Sequence, residues 1–171
     1  DTDSDEFETG SEDWPEAYRY TPMLPEDALL CVVIYFHATR KCVVYHVYYG
    51  QLFGCPLAVT SFNRWSRLAE ALSRRLLMLV VSFYFDDASL QDWKSQQGHG
   101  QSCMGSLMKT LGSEFAADKQ QRMSSTGQFL GLHHDVSEAT SSGAVKFWVK
   151  DSLEQKIMDV ISSARQARKF Y

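Results

Sequence analysis

The sequence predicts an α+β domain with mostly antiparallel strands. Three observations carry that expectation. Short runs of β-branched and aromatic residues come in pairs, each pair joined by turn-forming residues. Segments with apolar residues at helical spacing separate the pairs, and one more closes the chain. The resulting order is strand pair, helix, strand pair, helix, strand pair, helix, with no internal repeat.

Taken in order, residues 1–12 are acidic, polar and aperiodic, and are expected to be disordered. Asp13 to Tyr20 mixes large aromatics with charge, and Thr21 to Asp27 is a loop punctuated by Pro22 and Pro25. Leu30 to Phe36 and Lys41 to Tyr49 read as a hairpin joined by His37-Ala38-Thr39-Arg40. Tyr45, Tyr48 and Tyr49 are expected to pack within it. Gly50 to Pro56 is a glycine-bounded turn. A helix follows from about Leu57 to Arg75, with an apolar stripe of Phe62, Trp65, Leu68, Ala69, Leu72 and Leu76. Arg64, Arg67, Arg74 and Arg75 decorate its solvated face.

An apolar run from Leu77 to Phe85 then meets Asp86-Asp87 and resumes at Ala88 to Leu90, which reads as a buried hairpin with two carboxylates at its tip. Two like charges there are costly unless a cation sits between them. Gln91 to Gly100 is a polar loop, and Ser102 to Phe115 is helical through Met104, Leu107, Met108 and Leu111. Phe129 to Leu132 and Val145 to Val149 read as another hairpin, turning near Ser141-Ser142-Gly143. Ser152 is placed to N-cap a last helix with Leu153, Ile157, Val160, Ile161 and Ala164 as its apolar positions. Arg165, Arg168 and Lys169 fall in its final turns, where they suit the helix dipole.

A chain of 171 residues suits one domain, and 44% hydrophobic with 22% charged residues is ordinary for a soluble globular protein. No apolar run approaches the roughly 20 residues of a membrane span. No secretory signal opens the sequence, so an intracellular setting without a membrane partner is expected. Cys31, Cys42, Cys55 and Cys103 match no zinc or redox spacing and read as reduced structural thiols. The formal charge of −4 is unevenly spread, because seven of the 21 acids lie in residues 1–13 without a single base. The remaining 14 acids against 17 bases leave residues 14–171 at about +3, which permits a nucleic-acid partner.

Asp13, Asp86 and Asp87 are the acids of interest if they converge. Two-metal phosphoryl transfer needs carboxylates that bridge two Mg²⁺ about 3.5–4 Å apart. Mg²⁺ asks few carboxylates of a protein and completes its shell with water and phosphate.

At these residues the chain resembles the reverse transcriptases. Tyr84-Phe85-Asp86-Asp87 looks like their YxDD box, and Asp13-x-x-x-Ala17-Tyr18 is similar to motif A. Phe53-Gly54-x-x-x-Ala58-x-x-x-Phe62 resembles the retroelement form of motif B, with Leu52 and Val59 where proline is usual. Phe115-Ala116-Ala117-Asp118-Lys119 looks like motif D, and Thr126-Gly127-Gln128-Phe129-Leu130-Gly131-Leu132 looks like motif E, the primer grip. The five stand in the family's order over residues 13–132, and their flavour is closest to tyrosine-recombinase (DIRS-type) retrotransposons. Residues 133–171, a hairpin and a helix, are similar to the start of a thumb. No segment resembles the fingers, most of the thumb or an RNase H region. The residues before Asp13, Glu8-Thr9-Gly10-Ser11-Glu12, are polar where the family has an apolar strand.

The resemblance implies a polymerase palm: an antiparallel, ferredoxin-like sheet backed by helices 57–75 and 102–115. It implies RNA-directed DNA synthesis from dNTPs on an RNA or DNA template with its primer. The cofactor would be two Mg²⁺, with Mn²⁺ as the alternative ion. Asp13 and Asp86 would hold the metals with Asp87 assisting, and Lys119 would neutralise or protonate the leaving pyrophosphate. Tyr18 would be the steric gate against a 2′-hydroxyl, Phe53 and Gly54 would line the nucleotide pocket, and Phe129, Leu130 and Gly131 would position the primer end. Two other readings stay open. One is a catalytically inactive palm remnant. The other is an RRM-like module that binds RNA through sheet aromatics without regard to Mg²⁺ or Asp86. His133-His134-Asp135 is not expected to share one ion, since neighbours on a strand point to opposite faces.

Overall fold

The computed structural model describes residues 6–55 and 57–167. In chain order the elements are β1 (Phe7–Asp13), β2 (Val32–His37), β3 (Cys42–Val47), α1 (Ala58–Leu76), β4 (Val80–Tyr84) and β5 (Asp87–Trp93). They continue with α2 (His99–Thr110), β6 (Gln121–Ser124), β7 (Thr126–Phe129), β8 (Leu132–Asp135), β9 (Lys146–Val149) and α3 (Asp151–Ala167). Strands β4, β5, β1 and β6 lie side by side in that order, and each neighbouring pair is antiparallel. With the β2–β3 hairpin set aside as an insertion, the path is strand, helix, strand, strand, helix, strand. That is the expected α+β, ferredoxin-like palm layout.

Alternation along the strands divides the sheet into two unlike faces. Val81 and Phe83 of β4 and Ala88 and Leu90 of β5 point to the helices, where Phe62, Ala69, Met104 and Met108 complete a buried core. The opposite face presents Thr9, Ser11 and Asp13 of β1, registered against Gln91, Ser89 and Asp87 of β5. Trp14 turns its ring into the core immediately after Asp13, with ring centroids 5.0 Å from Phe115, 5.1 Å from Phe83 and 5.7 Å from Phe62. Its indole N–H donates to the Ser113 carbonyl at 2.9 Å, so burial leaves no donor unpaired.

Strand β1 is the main correction to the sequence reading. The acidic stretch expected to be disordered supplies an inner strand of the sheet from Phe7 onward. Residues 1–5 of that stretch lie outside the described residues, as do Arg168 and Lys169. The strand forms because its polar groups find partners. Thr9 Oγ1 lies 2.8 Å from His134 Nε2, and the Glu12 carboxylate accepts from Gln120 Nε2 at 2.6 Å. Gly10 leaves room for Met123 and Gln101, whose atoms a Cβ at this position would overlap.

Smaller differences have equally local causes. In α1 the buried face runs through Ala58, Phe62, Ser66, Ala69 and Ser73, while Leu68 and Leu76 face outward. The turn after β4 is Phe85-Asp86, so Asp87 already belongs to β5, and Gln91 to Trp93 extend that strand instead of forming a loop. Helix α2 stops at Thr110 because Gly112 takes a left-handed φ of 75°, and the Ser113 N–H closes back on the Met108 carbonyl at 2.9 Å. Phe129 pairs with Leu132 across the two-residue turn Leu130-Gly131, both at positive φ, instead of running on toward the Val145–Val149 segment. Strands β7, β8 and β9 make a second antiparallel sheet in that order. Helix α3 begins at Asp151, so Ser152 sits inside its first turn rather than at the cap.

Strands β2 and β3 form a two-stranded sheet of their own. Tyr45 and Tyr49, expected to pack, are exposed, as are Ile34, Phe36 and Val43. Cys31 is buried as a small hydrophobe, but Cys42 and Cys103 are exposed, and all four thiols are free. Among the described residues no helix is long and apolar enough to cross a membrane.

Candidate active site

The three acids converge at one end of the main sheet. Asp13 is the last residue of β1 and Asp87 the first of β5, and the two are directly registered antiparallel partners. Such partners have Cα atoms about 4.5–5.5 Å apart and side chains on the same face. Asp86 sits on the two-residue turn beside them, and its carbonyl accepts the Trp14 N–H at 3.3 Å. The Trp14 core residue therefore ties the end of β1 to the turn that bears Asp86.

The electrostatics reflect that crowding. The Asp87 carboxyl is held above the usual carboxylate range, first by burial, then by the charges of Asp86 and Asp13, with Lys119 opposing. Lys119 Nζ reaches Asp13 Oδ2 at 2.5 Å. Its ammonium is held above the ordinary lysine value, chiefly by that hydrogen bond and by the Asp13 charge. The contact follows from backbone pinning: the Ala116 N–H donates to the Asp13 carbonyl at 2.8 Å, which lays the 115–119 segment along the end of β1. The second oxygen of Asp13, Oδ1, is buried and has no hydrogen-bond partner. A buried carboxylate oxygen without a donor, at a strand end registered against Asp87, is what a cation would satisfy. Among the described residues no three His, Cys, Asp or Glu side chains are gathered into a metal cage. The carboxylates at this end of the sheet are hard oxygen donors of the kind Mg²⁺ takes, and not the thiolate and imidazole set of a structural zinc.

No family model matches the sequence, and no curated protein matches it. Among solved structures it is similar to a foamy viral protease–reverse transcriptase in complex with double-stranded DNA. That match has 12% sequence identity and a TM-score of 0.65, over 88% of this chain and 28% of the other. A second match, to a foamy viral protease–reverse transcriptase in complex with an RNA/DNA hybrid, has 12% identity and a TM-score of 0.63, over 88% of this chain and 18% of the other. The fold is reverse-transcriptase-like. This chain spans less than a third of the length of either matched chain.

Within this palm-like frame the other expected site residues divide into two groups. Tyr18 and Phe53 meet edge to face, with centroids 4.9 Å apart, and Tyr18 also touches Phe62 at 5.3 Å. Burial, followed by the Asp86 charge, raises the Tyr18 phenol above its ordinary value. The turn with Phe53 and Gly54 is held there by the Gln51 N–H, which donates to the Tyr18 carbonyl at 3.2 Å. Only glycine fits at position 50, since a Cβ would stand 1.8 Å from the Arg19 carbonyl oxygen. Gly54 adopts φ 94°, and Phe53 beside it is exposed.

Phe129, Leu130 and Gly131 lie instead on the β7–β8 hairpin. That hairpin joins the main sheet through the Thr9–His134 contact and through Gln121, whose side-chain amide exchanges two 3.0 Å bonds with the Gln128 backbone. His133 and His134 face opposite ways, His133 stacking on Trp148 and His134 turning to Thr9, so they share no ion. Trp14 is the site-supporting residue that sequence reasoning passed over. Its signal was position, since a large aromatic directly after a strand-terminal Asp must fall on the opposite, buried face.

Proposed function

We propose that this chain is the palm of a retroelement's RNA-directed DNA polymerase, of a flavour nearest the DIRS-type elements, joining dNTPs to a primer 3′-hydroxyl on a nucleic-acid template. The observation behind the reading is the registered Asp13–Asp87 pair with Asp86 on the adjoining turn and Asp13 Oδ1 buried without a partner. Asp13, Asp86 and Asp87 would hold two Mg²⁺, or Mn²⁺ in their place. When bound, the ions would make the primer hydroxyl a better nucleophile and offset charge on the transferring phosphoryl group. Lys119, kept protonated by Asp13, stands ready to neutralise or protonate the pyrophosphate as it leaves. Tyr18 over Phe53 forms one wall of the nucleotide pocket and gates the sugar. Gly54 supplies the left-handed φ of 94° that the pocket turn takes, and Phe129, Leu130 and Gly131 position the primer end.

The second reading is an inactive palm remnant, favoured by the Lys119 ammonium that already pairs with an oxygen of Asp13. The RRM-like reading is disfavoured, because the two inner strands present Thr9, Ser11, Ser89 and Gln91 where such modules stack bases on aromatics. Primer extension with Mg²⁺ and dNTPs, run on a longer chain that supplies fingers and beside Mn²⁺ binding followed by electron paramagnetic resonance, separates the readings. The expected result is extension and binding that both fall at least about a hundredfold in Asp86→Asn. Binding that depends on Asp86 without extension would establish the remnant. Extension equal in both proteins would overturn the assignment of the carboxylates.

A further inference from the structure

The turn that bears Asp86 is conformationally demanding. Tyr84 and Asp87 are paired, so Phe85 and Asp86 alone connect β4 to β5. Phe85 takes φ 54°, a left-handed value at the position where such turns ordinarily use glycine. A bulky side chain holds that conformation only when its surroundings fix it. Two contacts act on the turn. The Trp14 N–H reaches the Asp86 carbonyl at 3.3 Å, and Ser66 Oγ lies 2.5 Å from the Phe85 carbonyl oxygen.

Ser66 is on the buried face of α1 and is 2% exposed. A hydroxyl has one proton to give, and the alternative acceptor, the Phe62 carbonyl one turn back in the helix, is 3.5 Å away. The shorter distance assigns the proton to Phe85. Ser66 shares the buried face of α1 with Ala58, Phe62, Ala69, Glu70 and Ser73, and unlike Ser73, whose buried hydroxyl has no partner, it reaches a carbonyl on another element.

We propose that Ser66 is a positioning residue: its hydroxyl fixes the Phe85 carbonyl and so aims the Asp86 carboxylate at the Asp13–Asp87 pair. The inference rests on the reading of those carboxylates as a cation site. It assigns Ser66 no contact with substrate or metal.

The test uses the full chain with Ser66→Ala, Ser66→Thr and Asp86→Asn, each followed by Mn²⁺ titration under electron paramagnetic resonance and by thermal unfolding. Asp86→Asn is expected to lose Mn²⁺ binding. Ser66→Ala is expected to weaken it about tenfold, the equivalent of one hydrogen bond at about 1.4 kcal/mol per decade. Ser66→Thr, which keeps the hydroxyl, is expected to stay within about twofold. A purely structural serine would shift the melting temperature and leave the Mn²⁺ midpoint in place. The proposal is overturned if Ser66→Ala binds Mn²⁺ like the unaltered chain while Asp86→Asn does not, or if Ser66→Thr weakens binding as much as Ser66→Ala. If Asp86→Asn binds as well as the unaltered chain, the cation site itself falls and takes the positioning role with it.

Discussion

On strand β1, Thr9 is 1% exposed and Glu12 3%, whereas on the β2–β3 hairpin Ile34 is 60% exposed and Tyr45 67%. A strand of polar residues is buried and a ribbon of apolar ones is wet. What separates them is the supply of partners. β1 lies between β5 and β6 and has the second sheet against it at Thr9, so the buried side chains of Thr9 and Glu12 each meet a partner, and Asp13 Oδ1 at the site end is left without one. β2 and β3 pair with one another and form no part of the main sheet. Burial in this fold follows position in the sheet before it follows side-chain hydropathy. The distinction bears on the site, because a strand gripped on both sides can present Asp13 to Asp87 in a fixed register.

The comparison breaks most sharply at Gly10. A Cβ there would stand 2.7 Å from Met123 Sδ and 2.9 Å from the Gln121 carbonyl oxygen, so Gly10→Val must push β6 or α2 away from β1. The expected cost is about 3 kcal/mol, or roughly 6–12 °C in melting temperature for a chain of this size. A calorimetric scan that leaves the midpoint unchanged would mean that β1 is not gripped as described.

The Thr9–His134 contact offers a gentler probe through pH. The His134 imidazole is held below its ordinary value, first by burial and then by the neighbouring His133 charge. The unfolded chain therefore binds this proton more readily than the folded one. Stability from this group is present above the ordinary imidazole pKa of about 6.5 and is lost as pH falls from there toward the lower folded-state value. Thr9→Val should cost about 1 kcal/mol at neutral pH by removing one buried hydrogen bond. His134→Gln should flatten the decline in denaturant-measured stability between neutral and mildly acidic pH. A slope identical to that of the unaltered chain would show that His134 is not the group responsible.

These contacts explain which parts of the molecule could be read locally. The helices and the β4–β5 hairpin announce themselves by period, and the Asp86-Asp87 pair by like charges at the end of an apolar run. The four-strand order was not legible, because two of its members, β1 and β6, are polar segments that carry no strand pattern of their own. β1 is different: its hydrogen bond between Thr9 and His134 joins residues 125 apart, and a window of ten residues shows only acids, serine, threonine, glycine and a single phenylalanine. Ser66 on the buried face of α1 is illegible for the same reason, as its hydroxyl meets a carbonyl on the β4–β5 turn. The Leu130-Gly131 turn was hidden because an apolar run continues straight through it, and its leucine takes a φ of 50° that leucine seldom adopts.

The smallest expected effect lies on the hairpin, and it sharpens the comparison from the other side. Ile34 and Tyr45 are cross-strand partners, so they touch each other while both face solvent. Ile34→Thr keeps β-branching and strand propensity but removes apolar area that folding does not bury. It should change the unfolding free energy by no more than about 0.5 kcal/mol, against about 3 kcal/mol for one added valine on β1. It should also lower light scattering at high protein concentration, because exposed ribbons with unpaired edges and apolar faces promote association. A destabilisation above about 1.5 kcal/mol in a melt of Ile34→Thr would mean that the hairpin is buried against something in solution, and the contrast with β1 would fail.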